Sequence, residues 1–344
     1  MAAPLARAAQ APGQSELLRR WPLLARLAGR GSLAMRWDRR DPQADLRPWQ
    51  RGLLSALDLP PERFPSAPVS AAGQMGTAAG EAGGERGGTW LHAEPVHFAA
   101  GLNRLTFLGL EGAARVTAAE RDALRPLLAD HLQASGLALT ASGDWLIHSP
   151  QPLSVQTSCP DAAAANELEG VMPRGADAGR LRRLMTELQM LLHEHPVNQA
   201  RARRGLPAIN SIWPWGVGAS PQSSAAALPV AMGQSAFLRG LYRLQDQVIQ
   251  PSPNDGSTLV AALAGSSRVI AVADSDAPAE VDVLERCWLV PLTRALAAGE
   301  LERLDLVFDG WHCDIPRGAL RRFWRKALPL AQWPGMVTAG ELAQ

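Results

Sequence analysis

Apolar residues recur at Leu181, Leu184, Met185, Leu188, Leu191 and Leu192, the spacing of one helical face. Arg182, Arg183, Thr186, Glu187, Gln189 and His193 lie off that stripe. The pattern predicts a helix from Arg180. Pro196 cannot continue it and restricts His195, so it should stop near Glu194. A short basic turn or helix over Asn198 to Arg204 closes at Gly205. Ile209 to Trp215 then reads as a buried strand, with Gly216 and Gly218 allowing a sharp turn at its end.

Upstream, Ser15 to Ala28 reads as a helix kinked or split in two at Pro22, and Leu46 to Leu57 as a second helix. Ser, Ala, Gly, Pro and Thr dominate 66–88, a composition that predicts a flexible linker. Trp90 to Phe98 and Arg104 to Leu108 read as two strands, with Pro95 marking an edge or break. Thr117 and Glu120 form a capping box for a helix reaching Ser135, kinked at Pro126. Leu137 to Thr140 and Asp144 to His148 form a hairpin, followed by a polar loop through Cys159.

Beyond Gly218 a Pro/Ser loop leads to helices at Ser235–Ile249 and Ser257–Ala264, then a strand at Val269–Ala273. A further helix starts at Pro278, with Val281, Leu284, Trp288 and Leu292 on one side. A strand over Leu304–Phe308 and a basic helix over Arg317–Lys326 complete the pattern; its Arg and Trp together could contact nucleic acid or an acidic partner, but a solvated face with Trp324 packed inside is the plainer reading. Alternating strands and helices after residue 205 predict an α/β sheet covered by helices. The expected organisation is an N-terminal helical part (1–65), the linker (66–88), an inserted β-rich α+β subdomain (89–179) and the main α/β domain (180–335).

Composition changes this little. The formal net charge of +1 supplies no global field toward nucleic acid or an anionic membrane. Cys159, Cys287 and Cys313 match no zinc spacing and fit a reducing cytosol as small hydrophobes. No apolar run reaches the length of a membrane span. Eleven Trp against one Tyr make indoles such as Trp213, Trp215, Trp288 and Trp311 the expected core anchors.

Two constellations could carry chemistry. Asn198, Arg201, Arg203, Arg204 and Asn210 flank a strand whose Gly216-x-Gly218 turn could form an anion nest. The plainer reading is a solvated basic turn and ordinary loop glycines. Asp274 and Asp276, then Asp309, His312 and Asp314, follow two late strands, and Asp274, Asp309 and His312 could hold Mn, Mg or Zn. Here too the plain reading is stronger. Asp276 suits a helix entry, and Asp309-Gly310 suits a two-residue hairpin with Trp311, Cys313 and Ile315 facing one way. His92 and His97 fall on opposite faces of their strand.

The run His195, Pro196, Val197, Asn198, Arg201, followed by Asn210, Gly216 and Gly218, resembles archaeal-type cofactor-independent phosphoglycerate mutases. The Asn-Ser-Ile-Trp-Pro-Trp-Gly form, Trp90 to His97 and Phe323-Trp324-Arg325 resemble proteobacterial phosphoglycerate-mutase-like regulatory proteins of the RpfE type. The resemblance implies an alkaline-phosphatase-like sheet with helices on both faces, mixed or antiparallel at one edge. It also implies two metal ions held by Asp and His beside a Ser or Thr nucleophile. The chain lacks an early strand ending in Asp-Gly and a late Asp-x-x-Gly-His segment. The expectation is therefore a cytoplasmic, non-catalytic regulatory or binding protein without a cofactor. It would recognise a phosphorylated small molecule or a protein partner near Asn198, Arg201 and Asn210, and neither nucleic acid nor membrane. The alternatives are an active mutase or phosphatase using Mn or Zn, and a Trp-rich interaction scaffold.

Overall fold

The computed structural model describes residues 21–74, 88–101, 105–223, 227–263, 266–272, 283–308, 310–329 and 332–333. Helix α1 (Pro22–Arg30) begins at the proline expected to kink a longer helix. Pro22 occupies the first turn, where its missing N–H costs nothing. Strand β1 (Ser32–Met35), with no forerunner in the hydrophobic pattern, and α2 (Pro48–Ala56) follow. Helix α3 (Ser66–Gln74) stands where composition predicts linker, and seven of its nine residues are buried. Small side chains read as disorder but here permit close packing. The rest of the expected linker, 75–87, lies outside the described residues.

Next come β2 (Thr89–Ala100), β3 (Leu105–Gly109), α4 (Ala118–Ala134), β4 (Ala138–Leu139) and β5 (Leu146–Ser149). The Thr117–Glu120 capping box forms, and α4 runs through Pro126. Two short helices, α5 (Pro160–Ala165) and α6 (Leu168–Val171), occupy the expected polar loop. Helices α7 (Ala178–His193) and α8 (Pro196–Arg203) lead into β6 (Ser211–Gly218), much as the apolar stripe and Pro196 predict. Then follow β7 (Val230–Met232), α9 (Ala236–Arg243), α10 (Gly256–Ala261) and β8 (Val269–Ala271). A π-helical turn, Leu284–Leu289, runs into α11 (Val290–Ala298), followed by β9 (Arg303–Phe308) and β10 (Trp311–Pro316).

The architecture is mixed α/β. In the central sheet Val96 pairs with both Gly109 of β3 and Ser211 of β6, and Trp90 with both His148 of β5 and Gly218 of β6. Strands β3 and β5 therefore lie end to end along one side of β2, and β6 along the other. All these pairings are antiparallel. Pro95 sits inside β2 rather than ending it. Because β6 joins this sheet, pairing crosses residue 180, where the sequence pattern separates an inserted subdomain from a main sheet. A second antiparallel sheet has the order β1-β10-β9, with Phe308 paired to Trp311 across the expected hairpin. Trp311, Cys313 and Ile315 are buried there. Strands β7 and β8 pair in parallel.

Core packing follows the alternation of the strands and the stripe of α7. Leu181, Leu184, Leu188 and Leu192 meet Leu124, Leu128 and Leu132 of α4 and Leu91 and Ala93 of β2. Helices α3 and α9 touch backbone to backbone: a Cβ on Gly73 would collide with the Ala236 carbonyl, and one on Gly240 with that of Val69. The basic helix expected over Arg317–Lys326 is only a 3-10 turn, Arg317–Arg321. Beyond it the chain is tied to α1 by Arg322 Nη1 donating to the Arg30 carbonyl and Leu328 N to that of Ala25. Trp324, expected inside, is 68% exposed.

Candidate functional site

Side chains of β2 alternate between its faces. Leu91 and Ala93 enter the core, which turns His92 and Glu94 to the other side. Such polar positions usually meet water. Here the segment 44–47, the start of α3 and the start of α5 cover them. Across the sheet His92 is opposite Trp215 and Glu94 opposite Trp213.

Arg47 is the hub. Its Nη2 lies 2.6 Å from both Glu94 carboxylate oxygens, and Nη1 donates to Asp161 Oδ2 at 3.1 Å. Its guanidinium carbon is 5.1 Å from the centre of the Trp215 ring. Trp215 Nε1 donates to Glu94 Oε2 at 3.1 Å. Burial works against the Arg47 charge, but Glu94 and Asp161 hold the guanidinium above even its usual basicity.

His92 stacks on Trp215, with centroids 4.2 Å apart and planes 16° apart. Burial, reinforced by the Arg47 charge, pushes its pKa down to about 3, so the ring is neutral at pH 7. Its Nε2 is 3.0 Å from Ser66 Oγ, which accepts from Gln50 Nε2 at 2.7 Å. A hydroxyl beside a neutral imidazole is the pairing a nucleophile needs. Ser66, however, is fully buried, and a Cβ on Gly216 would lie 2.8 Å from the Ser66 Cβ. The hydroxyl lies beneath the end of β6, while His92 is half-buried.

That end of β6 is already occupied by an acidic side chain of the chain's own, Asp45. Its Oδ1 accepts from Gly216 N and Thr157 Oγ1, both at 2.7 Å, and its Oδ2 accepts from Val217 N at 2.9 Å. Gly216 has φ +69°, the left-handed region that aims successive N–H groups at one point. Burial pushes Asp45 up to about 7, against the three donated bonds. The carboxyl borders a cleft of about 240 Å³ whose walls include Gln43, Gln156, Thr157, Met172 and Arg174.

The expected anion-binding residues fall at the two ends of β6, about 20 Å apart at the usual strand rise. Gly216 and Gly218 lie at one end. Gly216 holds Asp45, and a Cβ on Gly218 would be 2.5 Å from Pro65. At the other end Asn198 is buried, donates to the Leu192 and Ile209 carbonyls and accepts from Ile209 N. Asn210 bridges Phe98 N and its carbonyl. Fully buried Arg201 donates to the Pro207 and Ala114 carbonyls and to Glu120 Oε2 at 3.0 Å. Their amide and guanidinium groups thus tie loops to the sheet.

Of the candidate metal ligands, Asp274 and Asp309 lie outside the described residues. His312 Nε2 is 2.7 Å from Asp305 Oδ1. Arg303 Nε lies 3.3 Å from Asp305 and 2.8 Å from Asp314, already supplying positive charge there. Among the described residues no three or more His, Cys, Asp or Glu side chains are grouped to hold an ion.

Asp45, Arg47, Ser66, Thr157 and Asp161 have no sequence signature as a set, because they come from three segments joined only by the fold. His92 and Glu94 left a trace: polar residues alternating within an otherwise apolar strand.

No family model matches the chain. It is 48% identical over 50 residues to the 2,3-bisphosphoglycerate-independent phosphoglycerate mutase of Methanothrix thermoacetophila, covering 14% of this chain and 13% of that protein. It is 33% identical over 82 residues to the enzyme of the same name from Methanosarcina mazei, covering 23% of this chain and 21% of that protein. The matches thus span about a fifth or less of these curated relatives. Among solved structures, a cofactor-independent phosphoglycerate mutase from Thermoplasma acidophilum aligns over 86% of this chain and 81% of its own, at 17% identity and a TM-score of 0.38. The PH0037 protein of Pyrococcus horikoshii aligns over 86% and 80% at 15% identity and a TM-score of 0.40. The chain is thus distantly and partially similar to cofactor-independent phosphoglycerate mutases.

Proposed function

We propose that the chain is a phosphoglycerate-mutase-like binding or regulatory protein that recognises a phosphorylated metabolite or a partner protein without turning it over. On this reading it shares ancestry with the mutases and their alkaline-phosphatase-like scaffold, and stands with the RpfE-type regulatory proteins. The observation that supports the proposal is the occupied nest. The Gly216 and Val217 N–H groups, which could receive an anion, are bound by Asp45, while the donors of Asn198, Arg201 and Asn210 are bound within the fold. A phosphate held there would have to displace a resident carboxylate or break internal bonds.

The cleft beside Asp45 is the better-placed entry, with Arg174 on its wall to meet an anionic group. Titration calorimetry of the full chain with 3-phosphoglycerate, paired with Arg174→Gln, tests the metabolite arm. Binding weakened at least tenfold by Arg174→Gln supports it. Absence of binding removes the metabolite and leaves the protein partner. Conversion of the ligand during the titration defeats the non-catalytic reading.

A further inference from the structure

The segment after β10 presents a surface that neither the core nor the cleft uses. Phe323 and Trp324 are 79% and 68% exposed and meet edge to face with centroids 5.3 Å apart. Arg317, Arg321, Arg325 and Lys326 beside them are exposed as well. From Arg317 to Trp333 the chain contains no acidic residue. Among the described residues Arg321, Arg325 and Lys326 make no ion pair.

The segment is held in place rather than left loose. Arg322 Nη1 donates to the Arg30 carbonyl, Arg325 Nη1 to that of Gly31, and Arg30 Nη1 to that of Leu320. A Cβ on Gly29 would collide with the Lys326 carbonyl, so α1 and this segment lie backbone against backbone. The clamp fixes the backbone while the two aromatic rings stay exposed.

We propose that this basic-aromatic hook docks on an anionic lipid surface, as a peripheral contact. Two adjacent aromatic rings suit the headgroup boundary, where an apolar body can sink while polar edges stay wet. Arg and Lys beside them meet anionic headgroups, each strengthening binding about fivefold. A bilayer satisfies both features at once and needs no complementary pocket. A stable protein–protein interface covers about 800 Å² on each partner, far more than one short segment offers. Single-stranded nucleic acid would favour parallel ring faces along a groove, whereas these rings stand 82° apart. The sequence-wide charge balance hides this patch, because it is local. Among the described residues no helix is long and apolar enough to cross a membrane, which agrees with surface contact only.

Co-sedimentation of the full chain with vesicles tests the proposal. Wild type should sediment with phosphatidylcholine vesicles containing phosphatidylserine and stay in solution with phosphatidylcholine alone. The double variant F323A/W324A should lose at least tenfold in apparent affinity. The charge variant R321Q/K326Q, which leaves the clamp residue Arg325 in place, should lose roughly twenty-five-fold, at about fivefold per cation. All these side chains are exposed, and circular dichroism of each variant checks that the fold is kept. Failure of wild type to sediment overturns the proposal, as does sedimentation of both variants like wild type. Tighter binding of a fluorescent oligothymidine than of the anionic vesicles, lost in the same variants, would reassign the hook to nucleic acid and equally overturn it.

Discussion

Replacing Arg47 by Met isolates the hub that joins the 44–47 segment, β2 and α5. Unit charges 2.6 Å apart attract by about 6 kcal/mol at an effective dielectric near 20, and the contact to Asp161 at 3.1 Å adds a similar gross amount. Most of that offsets the cost of taking the charges out of water. Removing the cation leaves Glu94 and Asp161 facing each other without compensation, and breaking such a pair costs about 3–5 kcal/mol. The Glu94 side chain keeps 30% of its exposure and can partly rehydrate, which places the expected loss near the low end, about 3 kcal/mol. Urea unfolding of wild type, Arg47→Met, Glu94→Gln and the double variant measures it. The double variant should lose less than the sum of the singles, because removing either partner disables the same contact. A loss below about 1 kcal/mol for Arg47→Met, at unchanged denaturant slope, would refute the role assigned to this cluster.

Two half-buried groups give opposite pH signatures. The Asp45 pKa is raised from 3.8 in the unfolded chain to about 7, so its stabilising share is full below about pH 4 and fades as pH rises through 7. The stability difference between wild type and Asp45→Asn should therefore shrink from about pH 4 to about pH 7; a difference that grows contradicts the assignment. The His92 pKa is lowered from 6.5 to about 3, so its share is present above 6.5 and lost as pH falls toward 3. The difference between wild type and His92→Gln should shrink on acidification across that window, read from the same urea midpoints. Gly216→Ala must adopt φ near +69° with its Cβ 2.8 Å from Ser66, and should cost about 2 kcal/mol or more in thermal unfolding. Asn198→Ala strands the Ile209 N–H and two carbonyls in the core, an expected loss of about 2–4 kcal/mol; a loss under about 0.5 would contradict its tethering role.

Periodic elements were legible. The stripe of α7, the stop at Pro196, the capping box at Thr117 and the Phe308–Trp311 hairpin all follow from local chemistry. Elements made of small residues were not. Helix α3 reads as linker because Ala, Ser and Gly carry little hydrophobic signal, yet they allow its close crossing with α9. Sheet membership of β6 was equally hidden, since pairing with β2 depends on contacts more than a hundred residues apart in sequence. At the candidate site Gly216 was visible as a turn that could hold an anion. The anion's identity was not, because Asp45 lies 171 residues earlier and has no periodic partner. The exposure of Trp324 escaped a helical reading for a related reason: contacts with α1 set the path of that segment, not its own periodicity.

The most direct test of a nest closed by the chain's own carboxylate is phosphorus NMR of 3-phosphoglycerate incubated with the full chain and added Mn. The account expects the 3-phosphoglycerate signal to persist with no 2-phosphoglycerate or inorganic phosphate forming. Steady appearance of either product, absent from a control without protein, would contradict it.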